Sequence, residues 1–145
     1  MKIAVLSDIH GNHVALEAFL KDLEGQGSVD HAIVAGDMFT FGPAPNEVLA
    51  GLREFPRDRC LVGNTDCYLL EGTYPSTHGK GDWQDKLLYS FQWTAERLAA
   101  EGLRFLEGLP AFQFVAERRQ QFLVVHGSPR SDEERLMLET EMGEF

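Results

Sequence analysis

The sequence predicts an α/β domain, and three observations carry that prediction. Short apolar runs at residues 2–7, 31–35 and 59–62 read as buried strands. Segments with helical apolar spacing lie between them, so strand, helix and strand follow one another as in a parallel crossover. Each run also ends in a polar turn, at Ser7-Asp8, Gly36-Asp37 and Gly63-Asn64. In open α/β sheets ligands bind beyond the carboxyl ends of the strands, so Asp8, Asp37 and Asn64 should converge on one rim.

The elements follow in order. The first run passes into Asp8-Ile9-His10-Gly11-Asn12 and then a helix with Val14, Leu16, Phe19, Leu20 and Leu23 as its apolar positions. Asn12 is its expected N-cap, and Gly25 and Gly27 close it. After the second run comes a loop with Gly42, Pro43 and Pro45, then a helix over 46–55. The third run leads towards a helical stretch containing Cys67, and residues 72–81 form a loop rich in glycine, proline, serine and threonine. An amphipathic helix is expected over 83–100 with Leu87, Phe91, Ala95 and Leu98 as a core-packing stripe, followed by a short helix over 102–108. The runs 112–115 and 122–125 flank a polar turn at 117–121 and read as a hairpin feeding His126-Gly127. Ser131 and Glu134 make a capping-box pattern at the start of the tail.

Composition bounds the function. The 145 residues carry 13 Lys plus Arg against 23 Asp plus Glu, a formal charge of −10, and 43% are hydrophobic. That is enough apolar content for one self-supporting core over 1–145 and argues against disorder. The acidic balance excludes a broad nucleic-acid surface, which needs clustered basic residues. No run approaches a membrane span and no apolar leader follows Met1-Lys2, so a cytoplasmic protein with no membrane contact is expected. Cys60 and Cys67 are too few and too loosely spaced for a disulfide framework or zinc knuckle and read as reduced thiols.

The chemistry-bearing residues sit where the apolar runs stop. Asp8 and His10 are one residue apart, and an extended backbone would turn both side chains the same way. Carboxylate, imidazole and amide oxygen are all metal donors, and Asp8, His10, Asp37, Asn64 and His126 offer them from four strand ends. Taken singly, Asp8 and Asp37 would read as turn or capping residues, and His126 as a strand-end histidine with a local partner.

In sequence order, Ser7-Asp8-Ile9-His10-Gly11-Asn12, Gly36-Asp37, Gly63-Asn64-Thr65-Asp66 and His126-Gly127 resemble the signature blocks of the calcineurin-like metallophosphoesterases. The resemblance spans residues 7–127. It implies a sandwich of two β-sheets flanked by helices, and a hydrolase acting on phosphodiesters or small phosphorylated metabolites. It also implies two divalent cations, Mn first, with Fe, Ni, Co or Zn also compatible with mixed N/O donors. Asp8 and His10 would hold one, Asn64 and His126 the other, and Asp37 would bridge them. Two such ions, roughly 3.5 to 4 Å apart, activate a shared water and neutralise the reacting oxygens.

Two features depart from the family. Thr65 stands where the family often has histidine, and threonine is no general acid at neutral pH. The form Gly-Asn-x-Asp instead resembles a branch of small prokaryotic phosphodiesterases, with Asn64 and Asp66 at the catalytic turn and Asp66 expected to orient its neighbours. Activated diesters should then be the easiest substrates. The family's closing Gly-His-x-His block is also not found, so the resemblance implies an incomplete second sheet lacking the family's C-terminal portion. Its uncovered edge makes a homo-oligomer a candidate assembly. The alternative reading is a truncated, non-catalytic metal-binding or interaction module on the same fold.

Remaining candidates are His13, in a first helical turn where amides favour anions, and Arg130, four residues past His126, both for substrate binding. Phe39 and Phe41 either line the pocket mouth or pack locally, and His31 and His78 read as structural or exposed. A phosphoacceptor receiver domain would need a lysine at a late strand end, and a dinucleotide binder a Gly-x-Gly-x-x-Gly turn. Neither pattern is present.

Overall fold

The structure, a computed structural model, describes residues 1–53, 55–74, 82–117 and 119–137. β1 (Ile3–Leu6), β2 (His31–Ala35) and β3 (Cys60–Leu61) form a parallel sheet in the order β1-β2-β3. β2 is central and has both faces covered, which accounts for its unbroken run Ala32-Ile33-Val34-Ala35. Val34 and Ala32 face the larger core, built with Leu16, Val48, Leu52 and Leu106 of the surrounding helices. Ile33 and Ala35 face the other way, towards Leu61, Val115 and Val124.

That second face is closed by an antiparallel hairpin, β4 (Phe112–Glu117) and β5 (Gln120–Val125), paired from Phe112 opposite Val125 to Glu117 opposite Gln120. The ladder is longer than the sequence predicts, because Ala116 and Gln121 also pair. Gln113 Nε2 donates to the Cys60 carbonyl at 2.9 Å and ties the two sheets together. The result is the expected α/β sandwich, with a parallel sheet, a small antiparallel sheet and helices on the outer face.

Several boundaries move for identifiable reasons. The third run pairs only at Cys60–Leu61, because a 3-10 turn occupies Arg57–Arg59 and the Val62 amide is taken by the Pro110 carbonyl at 3.0 Å. Helix α1 (His13–Gly25) has its Asn12 cap, whose Oδ1 accepts from the Ala15 amide at 3.0 Å. Leu16 of α1 is buried, whereas Val14, expected on the apolar stripe, is 76% exposed. Helix α2 (Pro45–Leu52) starts at its proline, which has no amide to lose there, and stops short of Phe55. Helix α3 (Asn64–Glu71) begins at the residue where the sequence shows only a turn, and left-handed Gly72 ends it. In α4 (Asp82–Arg97) the buried positions are Phe91 and Thr94, with Leu98 just beyond its end; Ala95 faces solvent. Helix α5 (Ala100–Leu106) lies two residues earlier than predicted.

The Ser131 capping pattern does not start a helix within the described residues. Glu134 instead accepts from Ser128 Oγ and from the Arg130 guanidinium. His78 and residues 138–145 of the tail lie outside the described residues. Cys60 and Cys67 are free, and burial pushes both thiols up to about 11, away from reactivity. No helix among the described residues is long and apolar enough to cross a membrane.

Candidate metal centre

The loops after β1 and β2 stay hydrogen-bonded beyond the end of the sheet. The amides of Asp8, His10 and Gly11 donate to the carbonyls of Gly36, Asp37 and Met38 at 3.2, 2.9 and 2.9 Å. Asp8, His10 and Asp37 have φ of +56°, +48° and +57°, so the extended backbone predicted for Asp8 and His10 is not what aims their side chains. The left-handed turns do that instead. Such conformations are unfavourable for non-glycine residues and persist where the surroundings over-determine them.

Two glycines let the β2 and β3 ends meet. A Cβ on Gly63 would overlap the Asp37 carboxylate, and one on Gly36, at φ +85°, would overlap the Gly63 backbone. Below this contact Asp66 is fully buried. Its Oδ2 accepts from the Asp37 amide at 2.8 Å and the Gly63 amide at 3.1 Å, and its Oδ1 from the Met38 amide at 3.0 Å. Burial pushes its carboxyl up to about 7 against the pull of those three amides.

Five predicted side chains come together above this floor. Asp37 Oδ1 accepts from the Thr65 amide at 3.0 Å. The other oxygen, Oδ2, faces His10 Nε2 at 3.7 Å and His126 Nε2 at 3.6 Å. His10 Nε2 is also 3.6 Å from Asp8 Oδ1. His126 Nδ1 lies 2.8 Å from the Ala35 carbonyl, which can only accept, so Nδ1 carries the ring proton. In the neutral ring, Nε2 then presents a lone pair to Asn64 Oδ1 at 3.2 Å and to Asp37 Oδ2. That lone pair, the Asn64 amide oxygen and the Asp37 carboxylate are acceptors facing one another, a set that a cation satisfies. Asp8, Asp37 and His126 each place a ligand atom within 4.8 Å of the others. The donor set therefore fits divalent cations, and the carbonyl bond that fixes the His126 ring is the outer support such ligands use.

The cluster floors a cleft of about 900 Å³. Phe41, Tyr68, Leu87 and Phe91 line one part of it, and Arg135, Leu136 and Met137 another. Leu87 and Phe91 were expected only as core; Phe91 is both buried and cleft-lining. The two candidate phenylalanines separate: Phe39 is fully buried and packs edge-on to Phe105, whereas Phe41 is 42% exposed in the cleft. Neither His13 nor Arg130 lines this cleft. His13 Nε2 lies 3.7 Å from Glu17, one helical turn on, and Arg130 borders a separate cavity while pairing with Glu134 at 2.5 Å. Asp66 is likewise outside the cleft and acts through backbone amides. Sequence reasoning missed the Thr65 amide, whose contribution is independent of side-chain type, and Tyr68, placed by a helix not delimited in advance.

The sequence profile of the calcineurin-like phosphoesterases matches residues 1–142, and the chain belongs to that family. It is 32% identical over 136 residues to an uncharacterized protein of Methanocaldococcus jannaschii, covering 90% of this chain and 51% of that one. The crystal structure of a metallophosphoesterase from Sphaerobacter thermophilus superposes with a TM-score of 0.70 at 32% identity, over 94% of this chain and 51% of its own. A hypothetical protein of Pyrococcus horikoshii gives a TM-score of 0.71 at 26% identity, over 96% and 60%. The chain thus spans 51% of the first two of these relatives and 60% of the third.

Proposed function

We propose that this chain hydrolyses phosphodiesters or small phosphorylated metabolites at a two-cation centre. The observation that carries the reading is Asp37 Oδ2, set 3.7 and 3.6 Å from the Nε2 atoms of His10 and His126. In this reading Asp8, His10 and Asp37 hold one cation, and Asp37, Asn64 and His126 hold the other. When bound, divalent cations supply Lewis-acid charge and lower the pKa of water. Mn is the first choice, with Fe, Ni, Co and Zn compatible with the same donors.

The chain's own groups supply positioning. The Thr65 amide fixes the rotation of the Asp37 carboxylate and leaves Oδ2 facing His10 and His126. The Ala35 carbonyl holds the His126 proton on Nδ1 and leaves the Nε2 lone pair facing Asn64 and Asp37. Asp66 holds the Asp37 and Met38 amides, and so the turn from which Asp37 projects. Thr65 donates no proton to a leaving group at neutral pH, so solvent serves that role and good leaving groups are favoured.

The test is hydrolysis of bis(p-nitrophenyl) phosphate by the purified chain with Mn, after chelation, and as Asp37→Asn. Mn-dependent turnover that disappears in both controls supports the reading. Metal retention without turnover supports the binding module instead. Self-association is part of the same proposal, because the hairpin exposes Phe112, Phe114, Phe122 and Leu123. A monomer by sedimentation would remove that part.

A further inference from the structure

Next to the metal centre lies a second cavity, of about 250 Å³, whose walls are the rings of Phe41, Pro43, Tyr89 and Trp93. Phe41 borders this cavity and the metal cleft alike, and its ring centroid is 5.1 Å from that of His10. The two spaces therefore share a wall at the metal centre itself.

The walls are built rather than accidental. Phe41 has φ of +74°, a conformation that a bulky side chain adopts only when held there. The restraint is visible: a Cβ on the next residue, Gly42, would overlap the His10 carbonyl, and the Ala44 amide donates to the Gly11 carbonyl at 3.1 Å. The strained loop is thus clamped to the segment carrying His10. On the opposite wall, Arg97 sits 4.4 Å over the Trp93 ring. Asn46 bonds the Arg97 carbonyl at 2.8 Å and the Ala99 amide at 2.9 Å, anchoring the end of α4 to α2. Yet Phe41 is 42% and Tyr89 64% exposed, so these rings are not serving as core.

We propose that this cavity is a subsite for a planar ring carried by the phosphoester substrate. The phosphate would lie at Asp37, Asn64 and His126 and the ring among Phe41, Tyr89 and Trp93. The inference rests on the metal centre as the phosphate anchor and adds a substrate class to it. Rings stack favourably on aromatic walls whatever their edge pattern. The polar groups of the cavity agree with shape reading: Ser90 Oγ donates to the Lys86 carbonyl at 2.9 Å and Thr94 Oγ1 to the Ser90 carbonyl at 3.0 Å. Both hydroxyl protons are committed to the helix, so recognition of the ring rests on stacking rather than on hydroxyl donors.

The experiment compares adenosine 5′-phosphate with ribose 5-phosphate by calorimetric titration into the Mn-loaded chain, alongside turnover of bis(p-nitrophenyl) phosphate. Wild type should bind the ring-bearing phosphate about tenfold or more tightly, the range of one stacked ring. Tyr89→Ala, at an exposed position, should reduce adenosine 5′-phosphate towards the affinity of ribose 5-phosphate, and Phe41→Leu should do the same. Equal wild-type affinities, or a preference that survives both substitutions, overturn the subsite. Ring preference without diester turnover upholds the subsite and sinks the hydrolase reading, whereas turnover without ring preference does the reverse. Failure of both phosphates to bind overturns the two together.

Discussion

Asp66 lies directly under Asp37, its buried carboxylate accepting from the Asp37 amide at 2.8 Å while the Asp37 side chain points away into the cleft. One carboxylate thereby sets the backbone from which the other is presented. The arrangement explains why an acidic residue can occupy a position with no exposure at all: three amides converge there, and an apolar side chain would leave them unpaired.

Asp66→Ala should therefore lower turnover by roughly 10- to 100-fold through misplacement of Asp37. It should also destabilise the fold, since each orphaned buried donor costs about 1–3 kcal/mol. Chemical denaturation and steady-state kinetics with Mn check the two effects separately. Unchanged values in both would mean that the three amides find other acceptors.

Asp66 also predicts a pH dependence in the chelator-treated protein. The unfolded carboxyl ionises near its ordinary 3.8, whereas the folded one keeps its proton up to about 7. Between those values the folded state binds more protons, so this group's contribution to stability falls as pH rises and levels off above about 7. Asp66→Asn should remove that part of the slope. Denaturation midpoints measured across the window, wild type against variant, decide it.

Asp37→Asn keeps an oxygen for the Thr65 amide but lacks the second carboxylate oxygen that faces both imidazoles. Loss of turnover should exceed the roughly 10- to 100-fold typical of outer partners, with bound metal reduced in parallel. Metal analysis after gel filtration, together with a melting curve, distinguishes this from unfolding.

Gly63→Ala should fail for steric reasons, because its Cβ would enter the Asp37 carboxylate and amide. Forcing the two strand ends apart should cost about 1–3 kcal/mol, the usual range for overpacking, and weaken metal binding as well. Gly27→Ala is the informative contrast: a Cβ there meets nothing within 4 Å, leaving only the strain of φ +74°. Thermal melts and Mn titrations of both variants check this.

Phe39→Ala should cost about 3–5 kcal/mol, as removal of a fully buried ring leaves a cavity. The neighbouring cleft residue Phe41, 42% exposed, should lose much less on the same change. Equal losses in paired denaturation curves would put both rings in the core.

The α/β class and the turns that carry the candidate ligands were legible in the chain because buried parallel strands need apolar runs and strand ends need polar, glycine-containing turns. Asp8 follows its run directly, Asp37 and Asn64 follow theirs after one glycine, and His126 follows β5. Element ends were less legible. The third run looks four residues long, but the Val62 amide bonds Pro110, far along the chain, and the ladder ends. Arg130 shows the same limit: its partner Glu134 is one helical turn away in sequence, yet the pairing forms in a non-helical segment.

Local pattern thus determined which residues could serve as ligands, since hydrophobic periodicity and turn chemistry act over a few neighbours. Tertiary structure decided how they aim. The left-handed backbones of Asp8, His10 and Asp37 are held by hydrogen bonds between loops some 28 residues apart, and Asp66 reaches Asp37 across 29. Such bonds exist only once β1, β2 and β3 have paired, because no isolated segment repays the strain of those conformations.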